Sequence, residues 1–190
     1  MTSPQLVGIY SPTPQCGKSA IAQLLQSDYE FVHVSFAGPI KRMLGVFLNS
    51  AGVIHDDVER LLYEEKDKRL PQLRVTPRHL MQTLGTEWAR DCIGPDVWVD
   101  IWRHNAESWL EAGTSVVVDD MRFPNEWDAV HELGGECWKV TSTRKNIDAE
   151  HASEGALNNF PFQRVFTNDG TLTELRDQIR NQFRAEAILR

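Results

Sequence analysis

Cysteine is scarce in this sequence: Cys16, Cys92 and Cys137 are odd in number and far apart. That excludes a small disulfide-stapled domain and offers no paired spacing for a structural zinc site. Free thiols in a reducing cytoplasm are the simplest expectation. Long apolar runs are missing as well. No stretch approaches the roughly 20 residues needed to cross a bilayer, and the N-terminus lacks the basic-then-apolar layout of a signal peptide. No membrane association is therefore expected. Basic charge is in deficit, with 20 Lys and Arg against 27 Asp and Glu and a net charge of −7. Gripping a nucleic-acid backbone takes a surplus of cations, so this balance argues against nucleic acid as a partner. It leaves room for a small anion held by a local arginine cluster. Internal repeats and low-complexity linkers are also lacking, and 190 residues suit a single domain with a proper core.

The densest signal lies near the N-terminus. Gln5-Leu-Val-Gly-Ile-Tyr10 is an apolar run of strand length, followed by Ser11-Pro-Thr-Pro-Gln-Cys-Gly17-Lys18-Ser19 and the helical pattern Ala20-Ile-Ala-Gln-Leu-Leu. Strand, tight loop, Gly-Lys-Ser and helix form the context of a phosphate-binding P-loop. Loop amides and the helix N-terminus point at phosphate oxygens, where the helix dipole favours negative charge. Lys18 would reach the β- and γ-phosphates, and the Ser19 hydroxyl would ligate Mg²⁺. The candidate nucleotide-binding residues are thus Gln15, Cys16, Gly17, Lys18, Ser19 and Ala20. At Cys16 a nucleophile is conceivable, but a small space-filling side chain suffices. The pattern departs from the motif at Pro12, which stands where its first glycine belongs. Proline fixes φ and donates no hydrogen bond, so the front of the loop is stiffer and lacks one donor.

Further along, Phe31 to Phe36 reads as a second strand. A helix follows from Ile40 to about Asn49, with Pro39 near its start and Ile40, Met43, Leu44, Phe47 and Leu48 as a core stripe. Asp56 to Arg69 reads as a charged surface helix. Thr76-Pro77 marks a helix start, with Leu80, Met81, Leu84 and Trp88 on one face and Arg78, Gln82, Gly85 and Thr86 on the other. Gly85 in a helix interior costs about 1 kcal/mol relative to Ala, which suggests close packing by a substrate or another backbone. A helix over roughly Val97–Ala112 carries tryptophans that would permit a homodimer if exposed. Gly113 to Asp119 is a buried strand of three valines ending in acids, and Asn125 is placed to cap the helix that runs toward Leu133. Strands at Cys137–Thr141 and Gln163–Thr167 and a last helix capped by Thr171, with Leu172, Leu175, Ile179 and Phe183, complete the pattern.

Strands alternating with helices imply an α/β fold: a parallel sheet with helices on both faces. Ligands in such sheets bind at the carboxyl ends of the strands, where the loops after the first, second and valine strands all fall. A valine run ending in Asp119 is the second component of nucleotide sites, supporting Mg²⁺ directly or through water. Arg122, Arg78, Arg90 and Lys41 are candidates for anionic oxygens. Residues 142–159, with Arg144, Lys145 and His151, suit a small lid that brings positive charge over the transferring group.

Six blocks carry a family resemblance: Gly17-Lys18-Ser19; Ser35-Phe-Ala-Gly-Pro-Ile-Lys41; Thr76-Pro-Arg78 through Gln82-Thr-Leu-Gly85-Thr86 and Arg90; Asp120-Met-Arg122-Phe-Pro-Asn-Glu126; His151-Ala-Ser-Glu154; and Asn168-Asp-Gly-Thr-Leu172. The chain resembles phage-type deoxynucleoside monophosphate kinases, of the P-loop nucleoside monophosphate kinase superfamily. The resemblance implies that fold, ATP and Mg²⁺ as cofactors, and a deoxynucleoside monophosphate (dNMP) as acceptor. It places Lys41, Arg78, Gln82, Arg90, Asp120, Arg122 and Glu154 on the acceptor side, in a helical segment of about 37–112 and beyond it. Arg144 falls in the lid, beside Lys18 and Arg122 as catalytic groups, and Asn168 near the adenine. It also implies a host-cytoplasmic location for a phage-encoded enzyme. Gly38 departs from the pattern, since related kinases often have an acid there.

The acceptor phosphate is already anionic, so the expected chemistry is positioning and charge neutralisation of an in-line transfer. Two main alternatives stay open on sequence alone, with a dephospho-CoA-kinase-like activity as a weaker third. One is a phage kinase acting on a hydroxymethyl pyrimidine in DNA, which would need a general base and a basic groove. The other is a nucleotide-binding regulatory module without turnover, which Pro12 favours.

Overall fold

A computed structural model describes residues 5–13, 16–143 and 155–188. The chain divides into two compact units, Met1–Ser35 with Arg103–Arg190, and Phe36–Trp102.

The first unit is built on a five-stranded, all-parallel sheet of order β2-β3-β1-β4-β5. Its strands are β1 (Leu6–Tyr10), β2 (Val32–His33), β3 (Val116–Val118), β4 (Glu136–Thr141) and β5 (Arg164–Thr167). β1 is the central strand, buried throughout, with β3 and β4 on either side. Alternate residues of β1 serve opposite faces. Val7 and Ile9 join Val117, Trp138 and Val140 in a core covered by α1 (Lys18–Tyr29) and α7 (Leu172–Ile188). On the other face, a Cβ added at Gly8 would lie 3.2 Å from Val130 of α6 (Pro124–Glu132). Tyr10, on that same face, stacks on Phe162 and donates its hydroxyl to Asn158 Oδ1 at 2.8 Å. Helices thus cover both faces. Cys137 lies buried in β4, and burial pushes its thiol up to about 12, so it is an inert core residue.

Several local expectations need correcting. β2 is a strand only at Val32–His33, because it is an edge that pairs with β3 alone; Val34 adds one more bond to Val117 O at 2.9 Å. α6 is capped by Glu126 rather than Asn125. Pro124 takes the first helical position, where its fixed φ fits, and Glu126 reaches back to the backbone N–H groups of Arg122 and Phe123. Asn125 is thereby inside the helix. The Thr171 cap holds, with Thr171 and Glu174 forming a reciprocal capping box. In α7, Leu175 and Ile179 are buried while Leu172 is exposed.

The second unit is helical. α2 (Gly38–Ser50) buries Ile40, Leu44 and Leu48, four residues apart, but leaves Met43 and Phe47 exposed, so its core stripe is narrower than expected. α3 (His55–Tyr63) buries Val58, Leu61 and Leu62 and stops well short of Arg69. Glu64 and Glu65 both donate backbone bonds to Arg60 O there, closing the helix into turns. α4 (Pro77–Gln82) starts on the expected cap, with His79 N donating to Thr76 Oγ1 at 3.2 Å. It continues as a π-helical segment, Thr83–Arg90, which was not foreseen. The wider turn rotates the downstream faces: Gly85 and Ala89 turn inward and Trp88 outward. Gly85 is indeed closely packed, but by its own unit. A Cβ there would lie 3.1 Å from Ile40 Cδ1, and its carbonyl accepts Trp98 Nε1–H at 2.8 Å. Of the tryptophans in α5 (Val97–Glu111), Trp98 and Trp102 are buried and only Trp109 is exposed.

Candidate functional site

The ends of β1, β2 and β3 meet at the loop that follows β1, all within the first unit. Gly17 adopts φ +106°, the left-handed conformation that a side chain resists, and precedes α1 directly. The front of the loop is tied by its own hydroxyls. Ser11 Oγ donates to Thr13 O at 2.8 Å, and Thr13 Oγ1 lies 2.6 Å from Cys16 Sγ. All three residues are buried, so the short turn at Pro12 is braced by side chains, and Cys16 is a packing residue. Gln15 lies outside the described residues. Ala20 lies in the first turn of α1, half-buried against the core of this unit.

Lys18, Ser19, Asp119, Asp120 and Arg122 converge. Ser19 Oγ donates to Asp119 Oδ2 at 2.8 Å, and His33 Nε2 lies 2.7 Å from Asp119 Oδ1. An ionised carboxylate only accepts, so His33 donates and both Asp119 oxygens are fixed. Burial alone would raise the Asp119 pKa. The bonds from His33 and Ser19, with the Lys18 charge, outweigh it and hold the group below its ordinary value. Lys18 is lowered, first by burial and then by the Arg122 charge; Asp119 and Asp120 act in the opposite sense. Arg122, Asp119 and Asp120 therefore all lie close enough to Lys18 to act on its charge. His33 was missed in the sequence because no motif marks it. Only the parallel register of β2 on β3 puts the end of the edge strand beside Asp119.

Arg122 is held by its main chain. Buried Glu126 accepts from Arg122 N at 2.6 Å and Phe123 N at 3.1 Å, fixing the turn that carries the guanidinium. Glu126→Ala is expected to destabilise the fold by about 1–3 kcal/mol, since two backbone donors lose their acceptor. Urea unfolding checks this, and an unchanged midpoint would show the bonds to be incidental.

Asn168, at the end of β5, donates Nδ2 to Cys16 O at 3.0 Å and so touches the loop directly. The acceptor-side candidates Lys41, Arg78, Gln82 and Arg90 belong to the Phe36–Trp102 unit. There Lys41 Nζ lies 3.9 Å above the Tyr63 ring. Arg78 makes a two-pronged pair with Asp67, at 2.6 and 2.9 Å. Arg90 donates to Pro95 O at 3.1 Å, and Gln82 is exposed. Arg144 and Glu154, with most of residues 142–159, lie outside the described residues.

Comparison with known proteins decides the family. The family model for deoxynucleotide monophosphate kinase matches residues 55–179. The chain belongs to the deoxynucleotide monophosphate kinase family. A protein of Acanthamoeba polyphaga mimivirus that carries this family's name is 30% identical over 177 residues, covering 86% of this chain and 88% of its own. The deoxynucleotide monophosphate kinase of Enterobacteria phage T4 is 30% identical over 105 residues, covering 55% of this chain and 44% of its own. Among solved structures, the dephospho-CoA kinase of Campylobacter jejuni superposes with a TM-score of 0.51 at 11% identity, covering 97% and 98% of the two chains. That likeness speaks for the kinase fold alone. In this kinase family member, no helix among the described residues is long and apolar enough to cross a membrane.

Proposed function

We propose that this kinase transfers the γ-phosphoryl group of ATP to a free dNMP, giving the diphosphate. The observation that carries the reading is the Ser19–Asp119 bond at 2.8 Å, which joins the loop hydroxyl to the acid ending β3, with Lys18 and Arg122 beside it. The donor set suits Mg²⁺: a hydroxyl and a carboxylate are hard oxygen ligands. Among the described residues no three His, Cys, Asp or Glu side chains cluster to hold a metal by themselves. Ser19 would hold Mg²⁺, with Asp119 behind it through water, and the ion would neutralise charge on the phosphates.

The chain's own groups supply the rest. The amides around Gly17 and the start of α1 bind the donor phosphates, and Lys18 draws toward the γ-phosphate. Arg122 holds the acceptor phosphate in line. Lys41, Arg78, Gln82 and Arg90 are the further candidates for acceptor binding; for Arg78 this role requires exchanging Asp67 for a phosphate, which the guanidinium can also grip with two bonds. Asp120 completes that side; Glu154 and the lid candidate Arg144 lie outside the described residues. No general base is needed, because the attacking phosphate oxygen is already ionised. The three free cysteines suit a reducing host cytoplasm.

A coupled ADP-release assay with ATP, Mg²⁺ and a panel of dNMPs tests the reading. Acceptor-dependent turnover is expected on at least one of them. Turnover on hydroxymethylated duplex DNA alone would move the acceptor into nucleic acid, and nucleotide binding without turnover would make the chain a binding module.

A further inference from the structure

The loop after β5 reaches two distant parts of the chain at once. Asn168 N donates to Thr141 O at 2.8 Å, which pins its main chain to the end of β4. Asp169 accepts from Ser142 Oγ at 3.0 Å, Thr143 N at 2.6 Å and Thr143 Oγ1 at 2.8 Å. From this fixed base the Asn168 side chain extends to the phosphate loop, where Nδ2 donates to Cys16 O at 3.0 Å. The same amide covers Gly17, so that a Cβ placed on Gly17 would collide with Nδ2.

Cys16 C=O and Gly17 N–H belong to one planar trans peptide and point in opposite directions. Fixing the carbonyl toward Asn168 therefore turns the Gly17 N–H away from it. A peptide leading into a left-handed glycine can flip readily, since glycine tolerates either orientation. The loop sequence already lacks N–H donors at Pro12 and Pro14, so the direction of its remaining amides matters more.

We propose that Asn168 is a positioning residue for the phosphate loop: its side-chain amide locks the Cys16–Gly17 peptide so that the Gly17 N–H faces the donor phosphates. It thus serves the phosphates and not the base. The proposal rests on the reading that this loop holds the donor phosphates.

The test compares wild type, Asn168→Ala, Asn168→Asp and Lys18→Met in the full chain, using calorimetric binding of ADP, GDP and inorganic tripolyphosphate with Mg²⁺. Thermal melting of each variant runs beside it. Both Asn168 variants should weaken all three ligands by a similar factor, about tenfold for the alanine. The aspartate should lose more, because its carboxylate faces the Cys16 carbonyl. A penalty on ADP that vanishes with tripolyphosphate would make Asn168 a base contact and overturn the proposal. A lower melting temperature with unchanged affinities would also overturn it, leaving a purely structural bond. If Lys18→Met binds tripolyphosphate as wild type does, the donor-loop reading itself fails, an outcome distinct from the other two. Should the first two variants not fold, Asn168→Ser, shorter but still polar, carries the same three-ligand comparison.

Discussion

Lys18→Met is expected to lower turnover on the order of 10³-fold or more while leaving the ligand-free protein at least as stable as the wild type. The first half follows from the role of a fixed cation beside a transferring phosphoryl group. The second follows from the cost of keeping that cation here. Burial and the neighbouring Arg122 hold the Lys18 pKa below its ordinary value of 10.5. Between the lowered value and 10.5 the unfolded chain binds more protons, so stability rises with pH across that window. Below that window the charged ammonium subtracts a constant amount from stability. Methionine fills similar space without the charge. Melting curves should place the variant at or above the wild type, with any gap narrowing as the pH rises toward 10.5. Saturating ADP and Mg²⁺ should reverse the order, because only the wild type gains binding energy. A variant with near-native turnover would remove Lys18 from the chemistry. One that melts well below wild type at pH 7 would mean that its aliphatic stem, not its charge, governs the fold.

Arg122→Ala is the second large effect. With the acceptor held by this guanidinium, kcat/KM for the dNMP should fall about 10²-fold or more, while ADP affinity stays within a few-fold of wild type. Arg122→Lys should recover little, since a point charge does not reproduce a planar two-pronged grip on phosphate. Initial rates with varied dNMP, paired with ADP calorimetry, separate the sides of the site. Equal damage to both would move Arg122 to the donor phosphates. Loss of Arg122 should also ease the repulsion on Lys18, and the ligand-free variant should melt no lower than wild type.

The parts of this site that were legible in the sequence are those written locally. β1, the Gly17-Lys18-Ser19 loop, α1 and the valine strand ending in Asp119 each announce themselves within about ten residues, and all stand where expected. What was illegible depends on partners distant in the chain or on subtle backbone geometry. His33 is an ordinary strand residue until the sheet order sets β2 beside β3. Asn168 and Cys16 are 152 positions apart, and nothing in either stretch foretells their bond. The segment Thr83–Arg90 was assigned to the correct helix, but 3.6 residues per turn misplaced its faces, because the backbone there bonds to the fifth residue and not the fourth. At α6, Asn125 is a good cap by residue type, yet Pro124 one position earlier sets the boundary and hands capping to Glu126.

The strand order also dictates a timetable for the nascent chain. β1 comes first in chain order among the five strands of the sheet and lies in its middle, and its pairing with β3 begins 110 residues later, where Gln5 N meets Ser115 Oγ. At ribosomal speeds that interval is roughly 5–20 s. Throughout it Val7 and Ile9 have no neighbouring strand to pair with, and α1 can at most lie against them. The sheet therefore closes late and through long-range pairings, which sets folding toward the slow end for a protein of this size and leaves β1 exposed to aggregation during synthesis.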